Sequence, residues 1–259
     1  MRHYVFGGGV GDGINDIYRN DGYAALQGAP RTEKCRVSII SHNPAFKELF
    51  QHWPGGADMD VRQYEYWTPQ QDQEMRRRHK FQRETPQKPR PDWAKFEFYN
   101  HPGDAEVLEE LPDEYVVFSV SAGMPDRSFP RGIVAEVLME CGIDAVFVGR
   151  SYERNGREEA KRAMISRDIS LIDRISLPAT LNVVRDPRCK GVVCAHSSIS
   201  MLAGWENKPQ LLLYDEATRK RHFQTKDQWS WYAYERDNVF HATFDQWHSA
   251  AEKFFNHIQ

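Results

Sequence analysis

Tyr4-Val5-Phe6-Gly7-Gly8-Gly9-Val10-Gly11-Asp12-Gly13 is a short apolar run that ends in glycines. It reads as a strand entering a tight turn. Residues 13–23 continue with Ile14, Ile17 and Tyr18 at helical spacing, so a helix follows the turn. Next comes Arg36-Val37-Ser38-Ile39-Ile40-Ser41, a second strand, with His42-Asn43-Pro44 as its turn and a helix over residues 45–50. Strand, helix, strand is the opening of a doubly wound α/β sheet.

The second half repeats that order. Glu114-Tyr115-Val116-Val117-Phe118-Ser119-Val120 is a strand, residues 133–141 an amphipathic helix stopped by Gly142, and residues 144–149 a strand. Residues 158–165 are helical, 190–195 a strand, 198–205 a helix, 208–214 a strand, and 244–258 an aromatic-rich closing helix. Continuous apolar strands alternating with helices predict a buried parallel sheet. Leu111-Pro112-Asp113 reads as a linker, which predicts an N-terminal domain over residues 1–112 and a C-terminal domain over 113–259. The last helix is expected to pack back on the first domain. Asp58-Met59-Asp60, after a Pro-Gly-Gly turn, reads as loop.

Bulk composition narrows the function. The chain has 259 residues, 40% hydrophobic, with a formal net charge of -3. That is ample for a core and too apolar for disorder. No global positive field draws it to nucleic acid or an anionic membrane. Cys35, Cys141, Cys189 and Cys194 are scattered without a zinc-site spacing, and read as free thiols of a reducing compartment. No apolar run approaches the ~20 residues that span a bilayer, and the N-terminus does not read as a signal peptide. A cytoplasmic location is expected. One segment stands apart. Arg76-Arg77-Arg78-His79-Lys80, with Arg83, Lys88 and Arg90, lies between Trp67 and Trp93. It reads either as a solvated helix and proline-rich loop or as a surface for a nucleic-acid acceptor.

In an open parallel sheet, ligands bind beyond the carboxyl ends of the strands. The turn Gly7 to Gly13 lacks the third glycine of a dinucleotide fingerprint and the Gly-Lys-Ser/Thr of a Walker loop. Asp12 within it reads either as a helix cap or as a general base in a cleft. Ser121-Ala122-Gly123 and then Arg127-Ser128-Phe129-Pro130 suit a diphosphate, since arginine binds one bidentately. Gly149 and Glu153 follow another strand, where a carboxylate can hold ribose hydroxyls. His196-Ser197-Ser198 sits at a helix N-terminus that favours an anion. A Ser-His-Asp hydrolase is disfavoured, because no G-x-S-x-G elbow is present.

Taken in order, these motifs resemble the heptosyltransferase-like glycosyltransferases. In that family the first loop reads small-small-x-Gly-Asp before a helix, here Gly8-Gly9-Val10-Gly11-Asp12. The resemblance implies that Asp12 is the base activating the acceptor hydroxyl, with Gly9, Gly11 and Gly13 forming the acceptor-side loop. It implies a donor site made of Ser121, Gly123, Arg127, Gly149, Glu153, Ile175, His196, Ser197 and Ser198. Arg127 stands for the phosphate-binding lysine, Glu153 contacts the ribose, and Arg174-Ile175-Ser176-Leu177 lies near the base. His196 stands where the family has aspartate, and Met201 where it has histidine. The implied architecture is two Rossmann-like parallel-sheet domains facing a cleft, the GT-B arrangement, with a reduced N-terminal domain. The implied activity is inverting, metal-independent sugar transfer from a nucleoside diphosphate sugar to a glycan or other hydroxyl acceptor, with no cofactor. A hydroxylated nucleic-acid base as acceptor, and an inactive nucleotide-binding or assembly module, are the other readings.

Overall fold

The computed structural model describes residues 2–6, 9–19, 37–41, 43, 45–52, 58–61, 68–71, 73–74, 77, 98–122, 128–130, 132–150, 168–220 and 236–259. The chain divides into two compact units, Met1–Asn100 and His101–Gln259.

In the first unit, strands β1 (Arg2–Phe6), β2 (Val37–Ser41) and β3 (Asp58–Val61) form a parallel sheet in the order β1-β2-β3. Asp58-Met59-Asp60 is thus a strand, not a loop. Its Cα register, Ser38 to Asp58 through Ser41 to Val61, is set by pairing with β2 rather than by an apolar run of its own. Helix α1 (Val10–Arg19) follows β1, and α2 (Ala45–Phe50) follows β2. The α2 start is locally encoded. The Ser41 hydroxyl accepts the Asn43 N–H at 3.1 Å, and Asn43 Oδ1 accepts the Ala45 N–H at 3.0 Å. Such side-chain caps satisfy first-turn donors that have no partner within a helix. Phe46, Leu49 and Phe50 are buried.

The second unit carries strands β4 (Tyr115–Ser119), β5 (Asp144–Phe147), β6 (Ile169–Ser170), β7 (Cys189–Ala195), β8 (Gln210–Tyr214) and β9 (Val239–Thr243). All pair in parallel, in the order β6-β5-β4-β7-β8-β9. Counted from β4, this is the 3-2-1-4-5-6 order of the classic dinucleotide-binding sheet. Every residue of β4 and β8 is buried, as expected where helices cover both faces. The helices of this unit are α3 (Ala105–Glu109) before β4, then α4 (Ile133–Glu140), α5 (Leu177–Arg185), α6 (Ser198–Trp205) and the short α7 (Glu216–Thr218) between strands, and α8 (His248–Ile258) after β9.

The last helix, expected to pack back on the N-terminal domain, sends Ala251, Phe254 and Phe255 into the core of this second unit, against Val193, Leu211 and Leu213. Gly191 in β7 makes room for it, since a Cβ there would lie 2.8 Å from the Phe254 ring and 3.2 Å from the Pro209 carbonyl oxygen. The division between units also falls before Pro112. Residues 101–111 are tied into the second unit, where the Leu111 carbonyl accepts a hydrogen bond from Arg188 at 3.2 Å and Arg174 pairs with Glu110 at 2.8 Å.

Candidate functional site at the sheet's switch point

In the second sheet, connections run one way from β4 through β5 to β6 and the other way from β7 through β8 to β9. The topological switch point therefore lies between β4 and β7, and ligands of such sheets sit outside the carboxyl ends of those strands. The pairing fixes what lies there. Phe118 is opposite Val193 and Ser119 opposite Cys194. Ser121 and Ala122 then emerge from β4 beside His196, Ser197 and Ser198 emerging from β7.

The β4 turn is closed by its own side chains. Ser128 Oγ accepts the Ala122 N–H at 3.1 Å, and the Phe129 N–H donates to the Val120 carbonyl at 2.9 Å. The loop leaving the strand is thus stapled to its return. Gly123 and Arg127 lie inside it and outside the described residues. Ser121 is 7% exposed, and its hydroxyl oxygen is buried with no hydrogen-bond partner. Across the switch point, Ser197 is the N-cap of α6 and forms one half of a capping box, its buried hydroxyl facing the Ser200 backbone N–H. Ser200 supplies the other half. Its Oγ accepts the Ser197 N–H at 3.0 Å and donates to the Ser197 carbonyl at 2.7 Å. The N-terminus of α6 follows β7 at this switch point, and its first-turn N–H groups, Ser198 among them, have no partner within the helix.

His196 is buried at the end of β7. Met201 is 5% exposed and lies between the equally buried Ser200 and Leu202, so this residue is part of the α6 core.

The turns after β5 and β6 form a second group. Gly149 follows β5 with φ at +141°, a conformation that favours glycine. Arg150 beside it donates to the Ile175 carbonyl at 2.8 Å, linking the two turns. Ile175 is 4% exposed. Glu153, the residue expected at the ribose, lies outside the described residues, as does the helix expected over 158–165.

In the first unit, Gly9 caps α1 and Asp12 is in the helix's first turn, where its Oδ2 accepts the Gly9 N–H at 3.0 Å. The carboxylate thus performs the capping role. Gly11 and Gly13 belong to α1 rather than to a loop. The place of Gly13 has a packing cause: a Cβ there would lie 2.2 Å from the Phe46 ring. Of the basic segment, the structure describes Arg77, which pairs with Glu74 at 2.9 Å on the surface.

Among the described residues no cluster of His, Cys, Asp or Glu is arranged to hold a metal ion, and no helix is long and apolar enough to cross a membrane. Cys141, Cys189 and Cys194 are free thiols, and burial pushes Cys189 up to about 11 and Cys194 higher. Sequence reading does not single out Asp104, Arg150 or Ser128 as individual contributors. Arg150 and Ser128 stand within turns that it quotes. For Asp104 the signal is local: His101-Pro102-Gly103-Asp104 has the spacing of a capping box with proline at its first helical position.

No protein-family model matches the chain, and no curated protein matches it. Solved structures do. The chain is similar to E. coli ADP-heptose lipopolysaccharide heptosyltransferase II, with a TM-score of 0.63 at 11% identity, covering 100% of this chain and 98% of that one. It is similar to E. coli heptosyltransferase WaaC with ADP, at TM-score 0.62 and 12% identity over 100% of both chains. A glycosyl transferase family 9 protein from Veillonella parvula gives TM-score 0.62 at 10% identity, covering 98% of this chain and 96% of that one. The heptosyltransferase resemblance read in the sequence therefore holds for the fold, from one end of this chain to the other.

Proposed function

We propose that the protein is a glycosyltransferase that binds a nucleoside diphosphate sugar at the β4/β7 switch point and transfers the sugar to a hydroxyl acceptor. One observation carries the reading: the buried, unpartnered hydroxyl of Ser121, which leaves β4 at the switch point where α6 begins after the paired strand β7. Polar groups buried in a folded protein are normally satisfied, and an orphan needs a reason. A phosphate oxygen accepting from that hydroxyl, with others accepting from the first N–H groups of α6, supplies it. The likeness in fold to heptosyltransferases, one of them solved with ADP, supports the same ligand class.

In this reading Arg127, Gly123 and Ser198 complete the diphosphate cradle and stabilise the charge that develops on the leaving group. Glu153 orients the ribose, and Gly149 and Ile175 border the nucleoside. Asp12, from the first unit, takes the acceptor proton as the acceptor oxygen attacks the anomeric carbon, with inversion. Arginine and helix N–H groups offset the diphosphate charge, so the reaction needs no metal. The acceptor is a glycan or another small hydroxyl compound. Nothing among the described residues favours a nucleic-acid acceptor. The inactive-module reading is favoured by one observation, the engagement of Asp12 as a helix cap.

The test is a melting panel. ADP-, GDP-, UDP- and CDP-sugars are compared with nicotinamide dinucleotides. Stabilisation by a nucleotide sugar, with release of nucleoside diphosphate when acceptors are added, is the expected result. Stabilisation by the dinucleotides alone overturns the reading.

A further inference from the structure

The turn that carries Ile175 is built like a ledge, and its supports come from outside the turn. Asp173, just after β6, has φ at +58°, unusual for a residue that is not glycine. Its N–H approaches the Gly149 carbonyl at 3.4 Å, and Arg150 holds the Ile175 carbonyl. That is the support from the β5 side.

The opposite support is the stretch that opens the second unit. Asp104 ends a single 3-10 turn, Pro102–Asp104, and is 4% exposed. Its Oδ1 accepts the Ser176 N–H at 2.9 Å, and its Oδ2 accepts the Ser176 hydroxyl at 2.5 Å and the His101 N–H at 2.7 Å. Ser176 is in turn the N-cap of α5, its Oγ accepting the Ala179 N–H at 3.3 Å. One buried carboxylate therefore fixes, through both backbone and side chain, the residue that follows Ile175. Glu110 adds an exposed bidentate grip on Arg174, the residue that precedes it, at 2.8 and 3.0 Å. Exposed pairs of this kind contribute little, and the buried carboxylate is the stronger tie because charge-assisted hydrogen bonds are about twice as strong as neutral ones.

Resting on the site proposed above, we infer that Asp104 is a positioning residue for nucleoside recognition: by clamping Ser176 it sets the height of the Ile175 ledge on which the donor's base rests. It touches no part of the ligand. Its effect falls on the nucleoside and spares the diphosphate, because Ser121, Ser197 and the α6 N-terminus belong to other turns.

The experiment exploits that separation. Calorimetry measures two probes on the full chain: inorganic pyrophosphate, and whichever of ADP, GDP, UDP and CDP binds wild type most tightly. Asp104→Asn keeps the shape but loses an acceptor lone-pair set and the charge, and Ser176→Ala removes the hydroxyl limb together with the cap that the same oxygen gives the Ala179 N–H. The expected result is a roughly tenfold weaker nucleoside diphosphate, the scale of one charge-assisted hydrogen bond, with pyrophosphate unchanged in both variants. Glu110→Gln is expected to change neither probe. Equal weakening of both probes, or weakening of neither, in the Ser176→Ala protein overturns the inference while leaving the site itself intact. If Asp104→Asn fails to fold, Asp104→Glu, which keeps the carboxylate but displaces it, takes its place with the same expected outcome. Failure of wild type to bind any of the nucleoside diphosphates overturns the site reading itself.

Discussion

Asp12 combines a local and a proposed chemical task. Its carboxylate accepts the Gly9 N–H, a cap whose loss costs roughly 1 kcal/mol. Asp12→Asn retains an oxygen able to accept that bond but cannot take a proton. It is expected to abolish transfer while leaving donor affinity and the melting temperature nearly unchanged. A lowered melting temperature with transfer intact would make the residue a cap only. A second residue-scale consequence concerns Tyr214 and His241, whose hydroxyl oxygen and Nδ1 lie 2.7 Å apart, part-buried. Burial lowers the His241 pKa below its ordinary 6.5 and pushes Tyr214 up to about 12. The ring is therefore neutral at neutral pH and shares one hydrogen bond with the tyrosine hydroxyl, its direction set by the ring's tautomer. A histidine whose folded pKa is depressed resists protonation in the folded state, so its contribution is full above the unfolded pKa and declines as pH falls below about 6.5. Urea midpoints are expected to drop between pH 7 and pH 5 and to drop less steeply in His241→Phe.

Between elements, close approach is what the sequence least advertises. Gly191 reads as an ordinary strand residue, yet α8 is seated where its missing side chain would be. Gly191→Ala is expected to cost roughly 1–3 kcal/mol, the range for overpacking a core, read as a fall in urea midpoint. The pair of Arg185, in the last turn of α5, with Glu206 at the end of α6 is 3.0 Å apart, with side chains 13% and 4% exposed. Glu206→Gln leaves the arginine charge buried and is expected to destabilise by about 3 kcal/mol, whereas replacing both by Met and Leu recovers most of the loss. The same scale explains which elements were legible. α2 and α6 are read to their observed bounds, because Asn43 and Ser197 mark their starts and apolar residues recur at helical spacing. β3 is missed because two aspartates break its apolar pattern. β9, Val239-Phe240-His241-Ala242-Thr243, is missed because an edge strand need not be apolar throughout. α5 is missed because Pro178, Thr180, Val183 and Val184 are poor helix formers, and its stability comes from burial of Ala179, Leu181, Val183 and Val184.

At the scale of the whole chain, two units share one polypeptide, and ligand binding at a site within the second is expected to stabilise that unit. At a ligand concentration one hundred times its Kd the gain is about 2.7 kcal/mol, or roughly 5–10 °C in melting temperature. Calorimetric scans with the bound nucleotide sugar should move the transition belonging to residues 101–259 by that amount. The order of turns around the candidate site was legible from the strands, since apolar runs of the central sheet are hard to mistake. The conversion of Gly11 and Gly13 from loop to helix was not, because only the Phe46 ring reveals why Gly13 must be bare. The central position of β4 also bears on synthesis. Val116 is paired with Ala145 on one edge and Gly191 on the other, so a ribosome must add the whole chain between residues 116 and 191 before the second edge closes. At about 5–20 residues per second, that edge waits on the order of several seconds. During that interval a strand that is buried along its whole length in the finished sheet stands half-paired, in a topology whose distant partners make folding slow. Nascent chains are thus most exposed to misassociation before residue 195 emerges, and chaperone dependence should be concentrated there.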